Sequence, residues 1–465
     1  MSTQRLHAFT DDVLADHDAV AIADLVRRGA VSAAEVAAAA RARAARVDPT
    51  LRAVVIESTG LVSGSTDAPL FGVPTYVKDN TDVRGLPTNH GTAAFVARPC
   101  AEDGPYTKQL LSTGMTVLGK SRLPEFGLNA STEFAAAEPT RNPWHTDYSP
   151  GASSGGAAAL VAAGVVPIAH GNDGGGSIRI PAACCGIVGL KPSRGRHVDG
   201  PQARSMPINL VSEGVLTRSV RDTATYFAAA ERYWRNPKLP PVGLVEGPAR
   251  RRLRIGVIAD SVTGTETCPQ TRAVLDDTIA VLEKMGHEVR PIAPPVGRRF
   301  VDDFTVYWGL LAFLVAVGGK FAIDPRFRAS GLDTFTRGLA ARYRKSMART
   351  PAILYRLSQA RRAYAEMSRD SELILSPVLV HATPRLGYLN PTVPFDELFE
   401  RLISWVAFTP FNNVAGAPAI SLPMGTSSEG LPIGMQFSAA YGDERTLLEI
   451  AFALEAERPW RRIQD

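Results

Sequence analysis

Apolar residues recur at helical spacing from Val20 to Val26, which predicts a helix there. Ser32 and Glu35 form a capping box, predicting a second, Ala/Arg-rich helix that runs to about Val47 and ends at Asp48-Pro49. Short apolar runs predict strands at Leu51–Ile56 and along Phe71–Lys78, with a polar segment, Ser58–Ala68, between them. A helix at Thr107–Ser112 and a buried strand at Thr116–Gly119 follow, and Lys120-Ser121 turns the chain. Asn129–Thr140 reads as irregular, small-residue chain.

The later pattern repeats this alternation. The Pro/Arg-rich stretch Pro237–Arg252 is a connector. A strand at Leu253–Ala259, a helix at Pro269–Met285 and a strand-like His287–Pro291 have the order of a βαβ unit. Phe304–Asp370 is mainly helical, Leu373–Leu375 is a short strand, and Leu431–Phe437 is a strand followed by an amphipathic helix from Glu444 to Leu454. Short buried strands alternating with helices on both sides of the connector predict one α/β/α unit around a large mixed sheet.

One stretch breaks the pattern. Pro150–Ser193 holds ten glycines and four serines with almost no charge. Ser153-Ser154-Gly155-Gly156 opens an Ala-rich helix that Gly164 closes, Val165–Ala169 reads as a short buried strand, and Asp173-Gly174-Gly175-Gly176-Ser177 turns into another helix. A serine behind three glycines at a helix start has free backbone N–H groups around it, the arrangement that can hold an oxyanion.

The run Gly151-Ala152-Ser153-Ser154-Gly155-Gly156, then Gly171-Asn172-Asp173-Gly174-Gly175-Gly176-Ser177-Ile178-Arg179-Ile180-Pro181, then Cys185-Gly186 and Gly189-Leu190-Lys191-Pro192, resembles the signature of the amidase signature family. Upstream, Gly72-Val73-Pro74-Thr75-Tyr76-Val77-Lys78-Asp79-Asn80 is similar to the family's lysine motif, and Phe408–Pro423 to a later family segment. The resemblance spans nearly the whole chain and is weakest in the middle helical region. It implies a single amidase domain over residues 1–465. Residues 1–70 are its N-terminal helices and first strand, 71–235 the signature core, 236–407 further sheet elements and a variable helical region, and 408–465 a return to the core.

The chemistry implied is hydrolysis of a carboxylic acid amide to carboxylate plus ammonia or amine through an acyl-enzyme. By resemblance Ser177 is the nucleophile, Ser153 (after a cis peptide bond) relays the proton, and Lys78 is the base, which must be neutral to accept it. The oxyanion donors are the N–H groups of Gly174, Gly175, Gly176 and Ser177. Ser154, Asp173 and Arg179 are expected to steady the loop, the last two equally readable as an ordinary ion pair. Asn172 and Gly174 depart from the threonine common beside the aspartate, and Ala152 replaces a glycine before the serine pair. The Gly-Asn-Asp form, with Ile420–Gly425 and Gly430–Glu444, resembles hydrolases of nylon-type cyclic amide dimers, so cyclic or oligomeric amides stand beside linear ones. Amidotransferase subunits that make Gln- or Asn-tRNA share this triad and are the alternative, as is a non-catalytic binding protein.

Composition narrows the rest. A net charge of +5 over 465 residues is slight, and acids and apolar residues interrupt most basic clusters, so no nucleic-acid partner is expected. Only eight bases are lysines, which singles out any lysine set in an apolar run. Cys100, Cys184, Cys185 and Cys268 have no metal-ligand spacing, and adjacent cysteines do not readily bridge, so free thiols in the cytoplasm, no metal and no cofactor are expected. Met1–Leu14 carries acids without an apolar core, and the runs Ala157–Ala163 and Leu310–Val317 are too short to span a bilayer, so no membrane partner is expected. The partner is a small-molecule amide, with a homodimer left open. Gly151–Gly155 also fits the nucleophile elbow of α/β-hydrolases, but Asp147–Pro150 is a poor strand to precede it.

Overall fold

The computed structural model describes residues 5–465; the first four residues of the polar Met1–Leu14 opening lie outside them. The eleven strands among the described residues are β1 (Val54–Ser63), β2 (Pro74–Lys78), β3 (Thr116–Ser121), β4 (Ile168–Asp173), β5 (Val188–Lys191), β6 (Ser212–Thr217), β7 (Arg254–Val257), β8 (Glu288–Pro291), β9 (Leu373–Pro377), β10 (Ala419–Thr426) and β11 (Pro432–Ala439). Eight of them form one mixed sheet in the order β4-β6-β5-β10-β11-β9-β7-β8, flanked by helices. The parallel pair β7 and β8 is the expected βαβ unit, and β9 extends it in parallel. Strands from the two sides of the connector meet where β5 pairs antiparallel with β10, from Ala419 opposite Lys191 to Ser421 opposite Gly189.

A smaller sheet, β1-β3-β2, carries Lys78 at the end of β2. It is tied to β4 by the Lys78 backbone N–H, which donates to His170 Nδ1 at 3.1 Å. The Gly155–Ala162 helix is wholly buried beneath this junction. Its second residue must be glycine, since a Cβ on Gly156 would fall 2.5 Å from the Arg122 backbone nitrogen.

Several boundaries differ from the sequence expectation for identifiable reasons. The capping box at Ser32 is present, but the helix runs through Pro49 to Leu51. Arg52, in the left-handed region, then ends it, and Asp48 accepts from the N–H groups of Ala53 and Val54. The first strand is therefore β1, starting at Val54 and reaching Ser63 through a segment that reads as polar. Strand β4 starts after Pro167 and ends at Asp173 rather than running from Val165 to Ala169. Its polar residues His170, Asn172 and Asp173 are buried on side-chain partners, which hides the strand from a hydrophobicity reading. Lys120 and Ser121 belong to β3, not to a turn.

The apolar run Leu310–Val317 lies inside a longer element, the 25-residue helix Arg298–Ala322, which is long and apolar enough by length and composition to cross a bilayer. Part of it packs with Tyr343, Ile353 and Leu357 in a buried cluster.

Because β5 and β10 are neighbours in the sheet, we expect neither half of the chain to fold alone when it is cut at the connector. Residues 1–236 and 253–465 expressed separately should each lack a cooperative thermal transition. Two soluble halves that each melt cooperatively would contradict this.

Candidate active site

Lys78 is fully buried, and its Nζ donates to Ser153 Oγ at 2.7 Å and to Asn172 Oδ1 at 2.8 Å. Neither partner is charged. Burial pulls its pKa from 10.5 down to about 7, against the opposing pull of the Glu213 and Asp173 carboxylates. The other two fully buried lysines differ in their partners. Lys120 forms an ion pair with Asp79 at 3.2 Å, and Lys191 donates to the Pro192 carbonyl at 2.6 Å.

The Ala152–Ser153 peptide bond is cis. Ser153 is buried, while Ser177 is half-buried, and both line one cavity together with Gly174 and Gly175. The two serine loops are joined by the Ser154 N–H, which donates to the Ser177 carbonyl at 3.2 Å. No strand precedes Ser153, since residues 149–154 are irregular chain, so the nucleophile-elbow geometry is absent from this stretch.

The glycine loop is pinned by its aspartate. Asp173 accepts from the Gly176 N–H at 2.7 Å and the Ile178 N–H at 3.1 Å, and it meets Arg179 through both carboxylate oxygens at 2.9 Å. Burial alone would raise this carboxyl, but the charge and hydrogen bonds of Arg179, with Lys191 and Asn413, hold it well below the usual range. Gly176 has φ +133°, and a Cβ there would lie 2.4 Å from Thr409 Oγ1, so both conformation and space demand glycine. The Gly176 N–H is thus committed to Asp173. The N–H groups of Gly174, Gly175 and Ser177 make no hydrogen bond among the described residues and border the cavity.

Several residues here escaped the sequence reading. Arg179 also donates to the Thr409 carbonyl, Gln436 Oε1 and Asn413 Oδ1, at 3.0, 2.6 and 2.6 Å, and Thr409 Oγ1 donates to the Gly175 carbonyl at 2.6 Å. The later segment therefore holds the loop from behind. Asn80 and Asn172 face each other through their side-chain amides at 3.2 and 3.3 Å. His170 sits under Lys78 with Nε2 held 2.9 Å from Glu213 Oε2. The signals were two asparagines, in Val-Lys-Asp-Asn and Gly-Asn-Asp, which are unremarkable until the strands carrying them are adjacent.

The cavity has a volume of about 940 Å³. Among the described residues no group of three His, Cys, Asp or Glu side chains converges as metal ligands. What remains is a hydroxyl on a depressed lysine, a second hydroxyl nearby and free backbone donors, a set suited to acyl transfer.

The Asp173–Arg179 pair generates a stability prediction. Asp173→Ala leaves a buried guanidinium without its counter-charge and should cost about 3–5 kcal/mol in denaturant unfolding. Arg362→Ala, which removes an exposed pair with Glu366, should change stability by less than ~1 kcal/mol. Equal losses for the two variants would contradict the pinning role.

Comparison with known proteins agrees with this geometry. The Amidase family profile matches residues 24–448. A protein of Mycobacterium leprae assigned as the amidase AmiC is 49% identical over 99% of both chains. The 6-aminohexanoate-cyclic-dimer hydrolase of Pseudomonas sp. (strain NK87) is 33% identical over 95% of both chains. A solved structure of 6-aminohexanoate cyclic dimer hydrolase superposes with a TM-score of 0.85 at 30% identity, covering 98% of this chain and 99% of that one. With buried Lys78 on Ser153, Ser177 beside it and a family match over most of its length, the chain belongs to the amidase signature family and is an amidohydrolase.

Proposed function

We propose that the chain hydrolyses a carboxylic acid amide through an acyl-enzyme on Ser177, with Ser153 as proton relay and Lys78 as base. The observation that carries this reading is the 2.7 Å contact between Ser153 Oγ and a lysine whose burial pulls its pKa to about 7. A neutral amine at that distance can take the Ser153 proton while Ser153 takes that of Ser177, freeing the Ser177 oxygen to attack the carbonyl carbon. The returning proton then goes to the leaving nitrogen, the C–N bond breaks, and water repeats the cycle on the ester. The N–H groups of Gly174, Gly175 and Ser177 receive the oxyanion in this reading, whereas the Gly176 N–H keeps the loop in shape through Asp173. A cyclic amide is accommodated by the same steps, and the likeness to cyclic-dimer hydrolases keeps it in the substrate panel. The four half-buried or buried free thiols, Cys100, Cys184, Cys185 and Cys268, fit a reducing, cytoplasmic setting.

A fluorophosphonate should label Ser177, and peptide mapping should find no label in Ser177→Ala. The labelling rate should rise with pH through about 7 and level off above it, because Lys78 accepts a proton only once it has lost its own. In Lys78→Ala that rise should vanish and the rate fall by ~10³-fold or more, as for members of a unit. Label on Ser153, or an unchanged profile in Lys78→Ala, would contradict the assignment.

A further inference from the structure

The Arg298–Ala322 helix carries two apolar stripes. Val306, Tyr307 and Leu310 are buried in the core. Phe304, Trp308, Leu311 and Val315 have the i, i+4, i+7, i+11 spacing of a second core-facing stripe, yet all four remain half-exposed and line the cavity. A stripe of this kind normally meets a packed partner, and here the space opposite it is open.

The stripe begins at the reacting end. A Cβ built on Gly175 would lie 3.6 Å from Phe304 Cζ. From Phe304 to Val315 the helix rises ~16 Å. Trp308 is braced from behind by Phe335 and Phe399, with ring centroids at 5.4 and 6.2 Å. Beyond Val315 the lining continues through Gly318, Gly319, Ala322 and Ile323, with Leu314 exposed beside it.

Charge is withheld from this path. Of the acids that reach the cavity, Asp260 is paired with Arg272 at 2.7 Å and Asp324 with Arg326 at 2.8 Å, while Glu213 is hydrogen-bonded at 2.9 Å to His170, whose pKa burial lowers. Asp82 and Arg98 are exposed at its edge, and burial pulls His90 down to about 4, leaving it neutral. Along the stripe itself a carboxylate on the substrate would lose its water with no cation beside it among the described residues, Arg98 lying at the exposed edge.

We propose that the substrate is a neutral amide bearing an extended alkyl or aryl-alkyl arm, which lies along Phe304, Trp308, Leu311 and Val315 while its carbonyl reaches Ser177. This rests on the amidase reading of Ser177 and adds the substrate class to it.

The test uses the purified full chain with acetyl, butyryl, hexanoyl, octanoyl and decanoyl para-nitroanilides, and with N-alkyl benzamides carrying the same chain lengths on the amine side. In one series kcat/KM should rise about three- to fourfold per methylene until the stripe is covered. Replacing the hexanoyl end with a carboxylate, as in the adipoyl anilide, should lower it at least ~tenfold. Trp308→Ala should flatten the chain-length slope and Trp308→Phe should keep most of it. Val315→Asp, at a half-exposed position, gives the same readout should Trp308→Ala fail to fold. A flat or falling profile in both series, with the acetyl substrate still hydrolysed, overturns this proposal and leaves the amidase reading standing. An unchanged slope in folded Trp308→Ala or Val315→Asp overturns the role of the stripe. Failure to hydrolyse any member, together with no label on Ser177, overturns both.

Discussion

Burying Lys78 without a carboxylate at hydrogen-bond distance is the constraint from which the site follows. The shift from 10.5 to about 7 corresponds to a preference for the neutral amine on the order of 5 kcal/mol. The sign matters for the whole protein. The folded chain releases this proton more readily than the unfolded chain, so stability from this group is complete above the unfolded value and is lost as pH falls from there to about 7. Lys120, paired with Asp79, shows the ordinary way to bury a lysine. At Lys78 the partners are a hydroxyl and an amide oxygen, which hold the nitrogen in place without restoring its charge.

The second requirement is a loop whose backbone donors stay free. Three glycines in a row have many alternatives, and the conformational entropy lost in ordering them is large. The Asp173–Arg179 pair supplies the order, and Arg179 has every N–H donor of its guanidinium directed at Asp173, Thr409, Asn413 or Gln436. A fully satisfied buried network fixes one geometry, whereas a partly satisfied one would be costly. The same network links the signature stretch to β11 and to the segment before β10, which lie on the far side of the connector. Loop order and sheet continuity are therefore parts of one arrangement.

Much of this was legible in the sequence because the residues involved are local. The capping box at Ser32, the glycine turn at Gly164 and the alternation of helices and strands each depend on neighbours a few positions apart. Lys78, Ser153 and Ser177 were legible as a set through the resemblance, and the fold places Lys78 on Ser153. What was not legible depends on distant contacts. Strand β4 was displaced because His170, Asn172 and Asp173 look polar until Glu213, Lys78 and Arg179 are brought to them. The engagement of the Gly176 N–H by Asp173 depends on a turn conformation that a run of glycines does not reveal. The long helix read as a generic apolar run because its two stripes are distinguished only by what lies opposite each.

The central claim, that burial pulls the Lys78 pKa down to about 7, can be measured directly by titrating its side-chain ¹³Cε resonance in Ser177→Ala protein. A Lys78→Met variant identifies the signal and separates it from Lys191, which burial also pulls down to about 7. The account predicts a Lys78 midpoint near 7. A side chain that stays protonated to the unperturbed lysine value of ~10.4 would contradict it.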